Sequence, residues 1–180
     1  NYSLGAIAPS GELTNLYGQK KTFQDKDYDA VGVKPTITGC EIKTVWVKNG
    51  EASTAITPRK AVKWDTATNE PGTAVLIAGD GEQPCGVANW VMPAAGAAAG
   101  EGFFIIVEGP GELISDGGST LATSDIVVTA ASGKVNKQTA SPADEAAVLV
   151  QVNSVIGRPM EAVTNVDGTT FRALIKCPLP

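Results

Sequence analysis

The feature that most limits what this chain can fold into is its punctuation, in which β-branched and aromatic runs are cut by reversals at roughly 8 to 15 residue intervals. Glu70-Pro71-Gly72, Gly79-Asp80-Gly81, Gly109-Pro110-Gly111, Asp116-Gly117-Gly118, Ser132-Gly133 and Asp167-Gly168 all read as turns. Glycine accepts positive φ there, and proline presets φ. Between these points Ile42, Thr44, Trp46 and Lys48 alternate with Glu41, Lys43, Val45 and Val47 in a strand that stops at Asn49-Gly50. Further strands are expected at 61–64, 73–78, 86–91, 103–107, 112–115, 126–129, 134–137, 148–155 and 170–176. Two short stretches suit a helix: the Ala-rich 93–100, and 141–147, where Ser141 is placed to cap and Pro142 to open the first turn. The expected fold is all-β, a small β-barrel or β-sandwich with an extended N-terminal arm and at most one or two short helices.

Residues 1–36 differ from the rest. Tyr2, Leu4, Ile7, Leu13, Leu16, Tyr17 and Phe23 are scattered among polar residues without a period of 2 or 3.6. This predicts an arm over 1–36 and a single β-rich domain over 37–180, the arm being held by a partner surface because it buries little by itself. The strand-rich part is expected to stay folded without it.

The chemistry the chain lacks narrows its function. It has no histidine, hence no usual general base for a Ser or Cys nucleophile and none of the commonest transition-metal ligand. Phosphate-binding glycine motifs and the HExxH zinc motif are missing too, so no enzyme and no cofactor is expected. A net charge of −5 opposes nucleic-acid binding. No apolar run is long enough to span a membrane, and the N-terminus lacks the order of a signal peptide, so no membrane partner is expected. Cys40, Cys85 and Cys177 are odd in number and widely spaced, which reads as reduced core residues. Asp25-Lys26-Asp27-Tyr28-Asp29 opens like a calcium loop, but Ala30 and Thr36 stand where that loop needs Gly and Glu. Asp80 with Glu82, and Asp144 with Glu145, read as solvated turns. Trp46, Trp64 and Trp90 offer either a stacking platform or packing, and packing suits their strand-like surroundings better. Phe103-Phe104-Ile105-Ile106-Val107 is more apolar than a one-sided strand needs, which puts it in the core or under another subunit. Trp90, Phe103 and Phe104 are therefore the subunit-interface candidates.

From Ile56 to Ile175 the chain resembles the capsid cement, or head decoration, proteins of tailed bacteriophages. The likeness lies in an ordered series: Ile56-Thr57-Pro58-Arg59-Lys60-Ala61-Val62, Gly86-Val87-Ala88, Ala98-Ala99-Gly100-Glu101-Gly102, the hairpin Asp125-Ile126-Val127-Val128 with Ser132-Gly133-Lys134-Val135, Ile156-Gly157-Arg158-Pro159-Met160-Glu161-Ala162, and Arg172-Ala173-Leu174-Ile175. The chain departs from the pattern in front, where such proteins often begin close to the barrel. The resemblance implies a homotrimer at three-fold positions on the outer surface of a virion head, made in the host cytoplasm, that clamps neighbouring copies of the major capsid protein. On this reading Tyr2, Leu4, Ile7, Leu13, Leu16, Tyr17 and Phe23 are capsid contacts of a clasping arm, adding a strand to an exposed edge. A carbohydrate-binding β module, or another virion part such as a tail tube or head fibre, shares the same composition.

Overall fold

Residues 41–49 turn alternation into architecture. Val45 and Val47 point into one buried cluster, while Trp46 between them points into another, as successive side chains of a strand must. The computed structural model of the chain describes residues 3–24, 40–67, 72–138 and 145–177. Its elements run β1 (Ile7–Ala8), β2 (Lys20–Gln24), β3 (Glu41–Asn49), β4 (Ala61–Trp64), β5 (Ala74–Ile77), β6 (Gly86–Ala88), β7 (Gly102–Ile114), β8 (Val127–Thr129), β9 (Val135–Lys137), α1 (Glu145–Asn153), β10 (Val155–Pro159) and β11 (Thr170–Lys176). The fold is all-β with one α-helix among the described residues, as the punctuation predicts.

Strand β3 pairs with β5, β5 with β4, β4 with β6, β6 with β7, and β7 with β3 again. That ring is a small closed barrel. Closure leaves no free edge within it, and Val45, Val47, Val62, Val75, Phe103, Ile105 and Val107 fill its interior. The far half of β7 leaves the ring to pair with β11, and β10, β8 and β9 continue outward. Ile106, Leu113, Leu121, Val127, Val135, Ile156, Phe171 and Ile175 form the core of this second part.

Three expectations need correction. Gly109-Pro110-Gly111 does not reverse the chain but lies inside β7, where the strand passes from its pairing with β3 to its pairing with β11. Gly109 has φ 108°, and a Cβ there would run into the carbonyl oxygen of Glu41, so glycine serves a bend and a close crossing. Residues 93–100 form turns bridged at Ile56 and Ala97 instead of a helix. Most of 148–155 is helical, where the residues themselves suggest a strand. Strands β9 and β10 both lie antiparallel to β8 on its two sides, so the chain must cross over β8 to pass from one to the other. A helix makes that crossover, overriding the strand preference of Val148, Val150 and Val152.

The N-terminal residues bring a fourth correction. Residues 3–24 do not extend away from the domain: β1 pairs with β7, and β2 pairs along β3 from Lys20↔Val45 to Gln24↔Glu41.

Candidate interaction surface

The outer face of the barrel around Trp46 and Phe104 is covered from within. Leu4, Ala6, Leu13, Leu16, Tyr17 and Phe23 pack against a cluster of Ala8, Trp46 and Phe104, while Ile7 packs on the barrel interior. Phe104 meets Trp46 edge-on at 4.7 Å and Phe23 edge-on at 5.2 Å. Lys21 Nζ stands 4.7 Å over the Phe23 ring. Of the expected capsid contacts, Leu4, Ile7, Leu13, Leu16, Tyr17 and Phe23 are thus half-buried on their own domain, and Tyr2 lies outside the described residues. The calcium-like segment 25–29 and Asp144 lie outside them as well.

The subunit-interface candidates fare similarly. Phe103 points into the barrel and Phe104 toward the N-terminal cover; at 0% and 4% exposure neither can meet another subunit. This is why the 103–107 run is apolar on both faces. Trp90 is half-buried against the second core, with the Arg172 guanidinium 4.8 Å from its ring. Beside it Val91 is exposed, and Leu174 follows Arg172 on the outer face of β11.

A different surface stays uncovered among the described residues. Helix α1 rests on the domain through Ala147, Gln151 and the following Ser154, one stripe at spacings of four and three. Ser154 joins it to the sheet, its carbonyl accepting a backbone bond from Thr129 at 3.0 Å. Val150 sits over Gly81, where a Cβ would come within 2.6 Å of its Cγ1. Around the other side Val148, Leu149 and Val152 are 42%, 57% and 59% exposed, and Val150 is 49% exposed. The helix buries none of its nine residues. Val148, Leu149 and Val152 therefore face out together with Glu145, while Val150 lies on the side of the helix that faces the domain. A cleft of about 520 Å³, lined in part by Asp80, Asp116, Asn136 and Lys137, lies under it. Sequence reasoning expects a helix at 141–147, which covers the first turn of α1, but reads 148–155 as a strand because valines stand at alternate positions.

A second cleft, of about 510 Å³, is lined by Lys63, Trp64, Asp65, Glu82 and Gln83 among others. Lys63 and Glu82 pair across it at 2.5 Å. That bond, and the one Glu82 accepts from Gly79 N–H, hold the Glu82 carboxyl below its ordinary range. Trp46 is buried, so the three tryptophans do not make one stacking platform. Among the described residues no group of three or more His, Cys, Asp or Glu is placed to hold a metal ion. Burial pushes the Cys177 thiol up to about 12 and the Cys85 thiol well above its usual value, so both stay protonated and act as small apolar side chains.

No family model matches the sequence, and no curated protein does. Among solved structures, the chain is similar to the N base of head fiber gp8.5 of bacteriophage phi29, with a TM-score of 0.48 and 12% identity over 75% of this chain and 94% of that one. A likeness of that degree carries no inference about function.

Proposed function

We propose that this chain is a structural, non-enzymatic component of a tailed-phage particle: a cement protein that binds the outside of the head as an oligomer, a trimer by the resemblance, and clamps the major capsid protein. The ordered motif series between Ile56 and Ile175 supplies the family side of this reading. The observation that carries the physical side is the outward face of α1, where Val148, Leu149 and Val152 stand exposed side by side, as residues of an interaction surface do. The same reading accounts for a closed barrel beneath it. A rigid body with one adhesive face transmits load between the subunits it touches, and several linked faces raise the effective concentration of each weak contact.

The test is composition and strength of the particle. Quantified against the major capsid protein, the chain is expected on purified heads in a fixed ratio, and heads lacking it are expected to rupture at lower temperature. Its absence from washed particles, or unchanged rupture without it, contradicts the proposal. A copy number of only a few per head favours a fibre or tail component instead.

A further inference from the structure

We infer that Asn49-Gly50 is a latent deamidation site which the native fold holds shut, so that a chain opened at this point is converted covalently and does not regain the barrel. It is the one Asn-Gly step in the sequence. Glycine, with no Cβ, leaves its own backbone nitrogen open to the side chain before it. In an open chain the Gly50 nitrogen attacks Asn49 Cγ: the N–Cγ bond forms, the Cγ–Nδ2 bond breaks, and the amide leaves as ammonia, the Gly50 proton passing to it through solvent. Water then opens the five-membered imide at either carbonyl, giving aspartate or its β-linked isomer. No oxidant and no reactant besides water enters the step.

In the fold each reacting group is engaged. Asn49 is the last residue of β3 and is 1% exposed, so neither base nor water reaches it. The nucleophile, Gly50 N–H, donates to the Val75 carbonyl at 2.8 Å. The leaving group, Asn49 Nδ2, donates to the carbonyls of Thr54 at 2.9 Å and Ala97 at 2.8 Å, while Oδ1 accepts the Glu51 N–H at 2.9 Å. Ring closure rotates the amide and the 49–50 peptide toward each other, so these bonds break first, together with the parallel pairing of β3 with β5. The product does not fit back. A carboxylate has no hydrogen to offer the Thr54 and Ala97 carbonyls and places a charge in a buried site. The β-linked isomer adds a methylene to the backbone where Lys48 and Asn49 set the register against Ala74 and Val75, a seam of the closed barrel. Asn89, the other buried asparagine among the described residues, precedes Trp90, whose side chain hinders the same attack. The amide that ties this seam together is thus also the group that makes its opening irreversible.

The experiment holds the full chain in mildly alkaline buffer, native or unfolded in urea, with reductant present for its free cysteines, and follows the peptide carrying residues 49 and 50 by mass. Conversion of amide to acid is expected in urea, and at least about 100-fold more slowly in the native chain, which must open before it reacts. On removal of urea, the fraction that fails to regain near-UV circular dichroism is expected to match the fraction converted. No conversion in urea, equal rates in the two states, or converted chains that refold fully each overturn the inference. Asn49→Asp makes one product directly and is expected to have a folding equilibrium constant at least about tenfold below that of the wild type, a failure to fold being the extreme of the same result. A variant as stable as the wild type overturns the inference as well. None of these outcomes depends on where the chain is used, so the cement reading is tested separately.

Discussion

Two apolar surfaces of this molecule have opposite fates. Around Trp46 and Phe104 the outer face of the barrel is closed by residues 4–23 of the same chain, whereas along α1 the aliphatic stripe has no cover among the described residues. The difference separates stability from association. Removing the N-terminal cover exposes aromatic surface that folding had buried; altering the helix changes what a folded protein can bind.

The largest expected effect breaks the first surface. Deleting residues 1–24 is expected to cost more than about 5 kcal/mol, comparable to the whole stability of a small domain, and to give a protein that binds hydrophobic dyes and unfolds without a sharp transition. This reverses the sequence expectation that the domain stands without its arm, and thermal unfolding followed by near-UV circular dichroism decides between them. A smaller cut into the same surface, Phe104→Ala, removes the ring that touches both Trp46 and Phe23 and is expected to cost about 3 to 5 kcal/mol in urea unfolding.

How much of this is legible in the sequence follows from the kind of signal each region carries. Alternation in 41–49 and the reversal at Ser132-Gly133 are local: β8 and β9 meet as a hairpin with Thr129 opposite Val135, as the residues indicate. Gly109 misleads because a turn and a strand bend use the same residue for the same reason, a positive φ, and only the partner crossing at the Glu41 carbonyl distinguishes them. The helix misleads because its cause is topological. Nothing in Val148-Leu149-Val150 states that β9 and β10 flank β8, and that placement is what demands a crossover. The same limit applies to Leu4, Ile7 and Phe23, whose aperiodic spacing suggests an arm reaching toward a partner. Their partners are two strands of their own chain, distant in sequence.

The barrel between those two surfaces depends on the bend at Gly109. Gly109→Ala places a methyl group against the Glu41 carbonyl at a φ that L-residues rarely adopt, and is expected to cost about 3 kcal/mol in the same urea assay. Changes on the helix are expected to do far less to the monomer: Val152→Ser should stay within about 0.5 kcal/mol of the wild type in thermal unfolding at low concentration, because its side chain is already 59% exposed.

Another small effect is electrostatic. Bonding to Lys63 lowers the Glu82 carboxyl from its ordinary value of 4.5, so its contribution to stability is complete above that value and is lost as pH falls through the lowered one. Glu82→Gln is therefore expected to destabilise by at most about 1 kcal/mol at neutral pH, since the pair is partly exposed and screened, and to converge with the wild type in acid. A difference that persists unchanged at low pH contradicts that origin.

The contrast between the two surfaces is tested most directly by carbene footprinting of the full chain, first dilute and then on purified heads. The account predicts that Phe104 resists labelling in both states, while Val148, Leu149 and Val152 label strongly in dilute solution and become protected on the particle. Equal labelling of the helix in the two states, with Phe104 still protected, contradicts it.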